Sequence, residues 1–261
     1  MKEIKAEILD NKKIQKDFFI LSLKSDYLAS KSKPGQFVHI KCSDQITPLL
    51  RRPFGIFDIT KDGIKILYKI VGQGTEILSL ARKKEILSVI GPIGNGFKKP
   101  DKSHKRLTII LIGGGHGVAP LYLLAKELKA SNFMTSVLIG AKNKHHVVCE
   151  NEFRQQLGPN VFISTDDGSK GYKGLVTDLL AAKIKSRNIE QAVAIYACGP
   201  KAMLRKIAEI SEDLNSPAQI SMEEYLGCGI GICLGCPVKT HAGRKLVCKD
   251  GPVFYSNEIV G

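Results

Sequence analysis

Cys228, Cys233, Cys236 and Cys248 stand at the spacing C-x4-C-x2-C-x11-C in the tail of a 261-residue chain. Thiolates are soft donors, and four of them so close together make a metal-ligand set. A structural zinc site takes four thiolates in a tetrahedron and usually draws them from two C-x2-C knuckles. Only Cys233 and Cys236 form such a pair, with Cys228 five positions before it. That is the plant-type spacing of a 2Fe–2S cluster, in which four cysteines hold two irons. Gly227, Gly229, Gly231 and Gly235 let a loop wrap closely and turn its N–H groups toward negatively charged sulfur. The cluster is the favoured reading, and zinc in a non-enzymatic binding module is the alternative. A 2Fe–2S centre passes single electrons and does no organic chemistry alone, so another part of the chain must supply or accept them.

Candidates for that part lie upstream. "RRPFGIFD" reads as following a strand, and Arg52 there suits bidentate clamping of a diphosphate. "LYKIVGQGT" adds Gly72 and Gly74 for close backbone approach, and Thr75 to cap a helix whose N-terminus attracts anions. Both turns are common in strand proteins, so a purely structural role stays open. "IGGGHGVAPL" sits between a strand and a helix, where a dinucleotide loop belongs. It misses G-x-G-x-x-G, because Gly113 and Gly115 are followed by Val118. The run Gly113, Gly114, Gly115 and Gly117, with Pro120 in the first helical turn, still makes a tight, phosphate-accessible junction. "YACGPKAML", with Cys198, Gly199 and Pro200, is a second junction of this kind.

The elements that position these residues follow from periodicity. Residues 1–98 read as short strands, "KEIKAEIL", "FFILSLKS", "GQFVHIKC", "FGIFDIT" and "GIKILYKIV", with turns at "DNKK" and "KDG" and one helix at "TEILSLARK". Many short strands at even spacing predict a small antiparallel β-barrel. The polar stretch 98–106 marks a boundary. From Leu107 strands and helices alternate, which predicts a doubly wound parallel sheet with its ligand crevice at the strands' carboxyl ends. From about Ser221 glycine and cysteine replace periodicity. The fold class is thus multi-domain, β plus α/β: a barrel over 1–98, a nucleotide-type domain over 99–220 and a small cysteine module over 221–261.

Composition narrows the rest. The net charge is +14, but the lysines are scattered, with no basic stripe and no aromatic platform for bases. A solvated surface is expected rather than a nucleic-acid or membrane partner. No apolar run approaches the roughly 18 residues of a membrane span, and the N-terminus lacks a signal peptide's apolar centre. A cytoplasmic protein is expected, in which thiols stay reduced. Cys42, Cys149 and Cys198 stand in apolar segments as small buried hydrophobes.

"RRPFGI", "GPIGNGF", "GGGHGVAP" and "CGPKAML", in this order, resemble the flavin-plus-nicotinamide module of the ferredoxin–NADP reductase superfamily. With the tail "CGIGICLGC…VCKDGPVF", about residues 30–256 resemble the electron-transfer subunits of dihydroorotate dehydrogenase B. The resemblance implies FAD on the barrel, NAD(H) on the second domain and the cluster in the tail. The family's flavin motif falls on Arg52, Pro53, Phe54 and Gly55, with Gly55 replacing the usual serine. Leu67, Tyr68 and Lys69 match a strand on the flavin's other side, and Gly74 and Thr75 match the diphosphate turn. His116 stands where an aliphatic residue is usual. Hydride transfer between nicotinamide and flavin needs no proton donor, so no catalytic side chain is expected. Where NADP-using relatives place a serine–arginine pair, "ISTDDGSKG" offers Asp166 and Asp167. Carboxylates repel a 2′-phosphate and bind free ribose hydroxyls, favouring NAD. A turn before Gly168 is the other reading of these aspartates. The implied partner is the FMN-containing catalytic subunit that oxidises dihydroorotate to orotate in pyrimidine synthesis, in a heterotetramer of two of each. The alternative partner is a cytoplasmic hydrogenase or sulfur reductase.

Overall fold

The computed structural model describes residues 1–101, 107–186 and 193–260, so the predicted boundary stretch 98–106 lies partly outside them. The chain divides into two compact units. One contains residues 1–96, 223–238 and 244–252; the other contains 97–222, 239–243 and the residues from 253 onward.

The first unit carries β1 (Lys2–Gln15), β2 (Phe18–Lys24), α1 (Asp26–Lys31), β3 (Phe37–Ile40), β4 (Arg52–Gly55), β5 (Asp58–Ile59), β6 (Gly63–Lys69), α2 (Gln73–Leu80) and β7 (Ile86–Ile93). Its strands form one antiparallel sheet in the order β4-β3-β7-β1-β2-β6-β5. Phe37 faces Gly55 across β3–β4, and Asp58 faces Lys65 across β5–β6. Between these pairs, Ile56 N donates to Gln36 O (3.0 Å) and Phe57 N to Lys65 O (2.9 Å). The stretch Arg52–Ile59 therefore lies along both edges of the sheet and joins them, which removes the free edges of the predicted barrel. Alternating side chains such as Ala6, Ile8, Leu21, Leu23, Ile64 and Ile66 fill the interior.

Several boundaries differ from expectation. "DNKK" is not a turn: β1 runs through it, absorbing it with register shifts at Ile8/Asp10 and Lys13/Gln15. "FGIFDIT" is two strands, because its halves pair with different neighbours. Arg52–Gly55 form a strand themselves rather than following one. The helix begins at Gln73, two residues before "TEILSLARK", and ends at Leu80. Strand β7 has no counterpart in the sequence reading, and it runs into "GPIGNGF".

The second unit contains β8 (Thr108–Gly114), α3 (Pro120–Ala130), β9 (Thr135–Ala141), α4 (Glu150–Leu157), β10 (Val161–Thr165), β11 (Tyr172–Lys173), α5 (Val176–Ser186), β12 (Val193–Cys198), α6 (Lys201–Asp213) and β13 (Gln219–Ser221). In the tail, β14 (Pro237–Thr240) and β15 (Gly243–Leu246) make a hairpin, and β16 (Val253–Tyr255) follows. The sheet order is β11-β10-β9-β8-β12-β13-β16, parallel except for β16. Strand order reverses between β8 and β12, the switch point where such sheets bind ligands. Ile110, Ile112, Leu138 and Ile195 pack on one face with Leu180 and Ile207 of α5 and α6. Across α3 and α4, Tyr122 meets Phe153 edge-on at 5.4 Å.

The cysteine segment is shared out rather than separate. Residues 223–238 and 244–252 belong with the barrel, while β16 completes the parallel sheet. Asn95 explains the first attachment: its side chain donates to Asp250 O (3.0 Å) and its N–H to Gly251 O (2.6 Å). Among the described residues no helix is long and apolar enough to cross a membrane.

Candidate functional site

The tail builds its thiols into two pairs. Leu246 O accepts from the N–H groups of Lys249, Asp250 and Gly251, which winds a tight turn around buried Cys248. Val247 N donates to Cys236 O (3.0 Å), and the Cys236 and Cys248 sulfurs lie 3.3 Å apart. The second pair is Cys228 and Cys233. The N–H groups of Ile230, Ile232 and Cys233 all point at Cys228 Sγ at 3.4 Å, and Cys228 N points at Cys233 Sγ at 3.4 Å. Burial pushes the Cys228 thiol up, but these donors outweigh it and bring the group down to about 6. Burial and neighbouring Cys236 push Cys248 up to about 12.

Glycine makes the winding possible. A Cβ on Gly227 would come 3.2 Å from Cys233 Sγ, and Gly229 and Gly231 have φ of +70° and +82°. Amide donors converging on a sulfur stabilise a thiolate and tune an iron–sulfur centre, so the donor set fits a cluster. Among the described residues no three His, Cys, Asp or Glu side chains are arranged to hold a single metal ion. Cys42, Cys149 and Cys198 are buried and take no part in these pairs.

In the barrel, the two arginines of "RRPFGI" separate in role. Arg51 donates to Ser88 O (2.8 Å) and Glu3 Oε1 (2.7 Å), pinning β4 to β7 and β1. Arg52 spends only Nη1 among the described residues, on Leu50 O (2.7 Å) and Arg51 O (3.3 Å). Its side chain lies on Gly74, where a Cβ would meet both Cγ and Nε at 3.2 Å. The close approach explains the glycine, and the arginine is left over the first turn of α2, where a diphosphate fits. Thr75 does not occupy the N-cap; Gly72 does. From the third helical position, Thr75 Oγ1 accepts from Val71 N (2.9 Å) and Gly72 N (3.2 Å) and donates to Gly72 O (2.8 Å). It shapes the turn and has no hydroxyl proton to spare.

Phe54 and Tyr68 are buried and meet edge-on at 5.8 Å. The Tyr68 hydroxyl donates to Asn11 Oδ1 (3.0 Å), and Asn11 in turn donates to Leu78 O (2.8 Å) at the end of α2. Leu67 is buried, Lys69 reaches over the Phe18 ring, Pro53 is exposed and Gly55 offers no hydroxyl.

In the second unit, "IGGGHGVAP" ends β8 and passes through one 310 turn (Gly115–Val118) into α3, with Pro120 opening the helix. Cys198 pairs with Gly113, so both glycine loops leave neighbouring strands at the switch point. They interlock by absence of side chains. A Cβ on Gly113 would come 2.4 Å from Val118 Cβ; on Gly114, 2.7 Å from Pro200 Cδ; on Gly117, 2.8 Å from Cys198 O. Gly199 packs on Met203 in the same way, at 2.6 Å. Gly115 (φ +57°) faces open space. The glycines thus let the two loops close on each other, and Gly115 leaves a bare backbone face at the switch point, where a dinucleotide could approach.

The two aspartates also part company. Asp167 Oδ1 accepts from Ser169 N (2.9 Å), which makes it the turn-former; the Ser169 hydroxyl first, and this N–H second, lower its pKa. Asp166 is exposed at the end of β10, with its N–H tied to Ala141 O (3.0 Å). Among the described residues, His116 is exposed and its carbonyl accepts from Ala119 N (3.1 Å), a turn contact with no chemical role.

Sequence reasoning passed over Asn11, Asn95, Met203 and His39. Asn11 sits in the misread "DNKK". His39 is the one polar residue in the fully buried strand "FVHI", the only signal it offered.

Comparison with known proteins agrees with this geometry. Residues 111–209 match an oxidoreductase NAD-binding domain, and residues 223–260 match the iron–sulfur cluster binding domain of dihydroorotate dehydrogenase B. The chain is 35% identical over 261 residues to the dihydroorotate dehydrogenase B (NAD(+)) electron transfer subunit of Desulforamulus reducens, covering 98% of this chain and 97% of that one. The corresponding subunit of Bacillus pumilus is 39% identical, covering 99% and 98%. Among solved structures, an NADH-dependent reduced ferredoxin–NADP oxidoreductase studied for flavin-based electron bifurcation superposes with a TM-score of 0.84 at 29% identity, over 98% of this chain and 89% of that one. A Neisseria gonorrhoeae ferredoxin–NADP+ reductase with bound FAD and NADP shares the fold, with a TM-score of 0.68 at 13% identity, over 82% and 92%. With thiol pairs, flavin-type strand and glycine cradles in this order, the chain belongs to the family of dihydroorotate dehydrogenase B electron transfer subunits, NAD-linked oxidoreductases of pyrimidine biosynthesis.

Proposed function

We propose that this chain passes electrons between NADH, FAD and a 2Fe–2S cluster, to or from an FMN-containing catalytic subunit that interconverts dihydroorotate and orotate. The observation that carries this reading is the Cys228 nest, three main-chain donors on one sulfur in the same compact unit as the Arg52–Gly74 turn. FAD supplies the conversion between the electron pair of NADH and the single electrons of an iron–sulfur centre. The chain's own residues hold and orient. Arg52 and the first turn of α2 take the diphosphate, Pro53, Phe54, Gly55, Leu67, Tyr68 and Lys69 border the flavin, and Thr75 keeps the turn open. The loops at Gly113–Gly117 and Cys198–Pro200 take NAD(H), with Asp166 on the ribose. Cys228, Cys233, Cys236 and Cys248 hold the irons.

In this reading residues 1–98 serve the flavin, 99–220 the nicotinamide and 221–261 the cluster. The complex is a cytoplasmic heterotetramer of two of each subunit. The relatives' designation as electron transfer subunits supports a partner, and the hydrogenase or sulfur reductase alternative is not favoured.

The test is an anaerobic visible spectrum, with flavin and iron quantified, before and after NADH. About one flavin and about two irons per chain, both bleached by NADH, are expected. A colourless chain holding zinc would end the reading.

A further inference from the structure

His39 has no place in the relay described above, yet its position is unusual. It lies in β3, is fully buried, and among the described residues neither ring nitrogen has a hydrogen-bond partner of ordinary geometry. A buried polar group without a partner destabilises a fold, and a leucine or phenylalanine would fill this position without that cost. Its surroundings suggest what offsets the cost. Across β3–β4 it faces Pro53 of the "RPFG" strand, and across β3–β7 it faces Ile90. Gly229 lies on its ring: a Cβ there would come 2.5 Å from Nδ1 and 3.2 Å from Cγ and Cε1. Gly229 is buried and directly follows Cys228. Main-chain groups of Arg51 and Cys228 lie near enough to act on the imidazole, though not aligned as bonds. One side chain thus connects the flavin-type strand with the loop that carries the first thiol, inside one compact unit.

We propose that His39 is a positioning residue that sets the Cys228 loop against the "RPFG" strand, so that electron passage between flavin and cluster depends on its imidazole. In each passage one electron leaves the reduced flavin and one enters the cluster. His39 itself is neither oxidised nor reduced and exchanges no proton. This inference rests on the relay for the identity of the two cofactors, but the contact it invokes belongs to the chain.

The test compares the full chain with His39→Phe, which keeps a ring and loses both nitrogens, and His39→Gln, which keeps an N–H donor. Stopped-flow mixing with NADH separates flavin bleaching from cluster bleaching. Electron paramagnetic resonance reads the reduced cluster, and amide hydrogen exchange reads residues 227–233. In His39→Phe the flavin phase should stay within about twofold, the cluster phase should slow about tenfold or more, the resonance should shift, and exchange at 227–233 should quicken. His39→Gln should recover most of each change. Gly229→Ala should act in the same direction, and less than additively in a His39→Ala background, because removing the ring removes the clash.

A His39→Phe chain with both cofactors, an unchanged resonance and a cluster phase within twofold overturns the proposal. If His39→Phe takes up no cluster, exchange at 227–233 in the cofactor-free His39→Phe and parent chains decides, and identical protection overturns it. If the parent chain itself lacks flavin or iron, the relay has failed. The exchange comparison on the cofactor-free chains then still decides the contact, and identical protection overturns it.

Discussion

The turns of the barrel unit and the glycine loops of the sheet unit, the two sets of proposed cofactor contacts, are built by opposite means. In the barrel unit the groups are already fixed in place by hydrogen bonds. Thr75 closes its turn with three bonds, Arg52 is tethered by one nitrogen, and three N–H groups meet on Cys228. In the sheet unit missing side chains let two loops interlock, with Gly113 against Val118, Gly114 against Pro200 and Gly117 against the Cys198 carbonyl, and leave Gly115 facing open space. Aimed donors lower the reorganisation needed to hold a charged group permanently. A bare backbone face admits a group and lets it leave. The difference suits a chain that retains FAD and a cluster while NAD(H) exchanges.

Four measurements bear on that contrast, in decreasing order of effect. Cys228→Ser should abolish the cluster, with iron falling from about two per chain to near zero while flavin stays near one; iron retained at the parental level would break the comparison. Gly117→Ala should lower kcat/KM for NADH about thirtyfold, about 2 kcal/mol, because the new Cβ meets backbone that cannot move aside. Its flavin and iron contents should be parental, and a loss of flavin there would mean the two kinds of site are not independent. Thr75→Val should cost about 1–2 kcal/mol in urea unfolding, since the Val71 and Gly72 N–H groups lose their acceptor, and should loosen flavin retention.

The smallest effect concerns acid. Burial pushes the Glu150 carboxyl up, and hydrogen bonds from Lys170 and Arg154 outweigh it, leaving a pKa below 4.5. A carboxylate with a lowered folded pKa contributes stability that is present above its unfolded value and lost as pH falls through the folded one. Glu150→Gln should therefore cost less than about 1 kcal/mol at pH 7 and flatten the stability curve below about pH 4.5. A flat curve in the parent would remove this ion pair as a support for the Asp166 turn, whose Lys170 it anchors.

Much of this architecture is legible in one dimension. Strand–helix alternation from Leu107 predicts the parallel sheet because both faces of a strand such as "LTIILIGG" must be apolar. Strand β7 escaped because "ILSVIGPI" carries glycine and proline, the marks of a turn, and becomes a strand only between β3 and β1. "DNKK" misled for the converse reason: turn-forming residues are tolerated in a strand when bulges and a long partner absorb them.

Spacing alone singled out the four thiols of the tail as a candidate ligand set and put two glycine junctions at strand ends, since ligand type and chain reach are local properties. Only tertiary structure decided which groups are already engaged. Asp167 closes a turn while Asp166 stays exposed, Arg51 is bound while Arg52 reaches the helix, and Thr75 works from inside its helix. Only tertiary structure brought His39 under Gly229, 190 positions away in sequence (229 − 39). Engagement and burial depend on partners distant along the chain, and no local pattern names them.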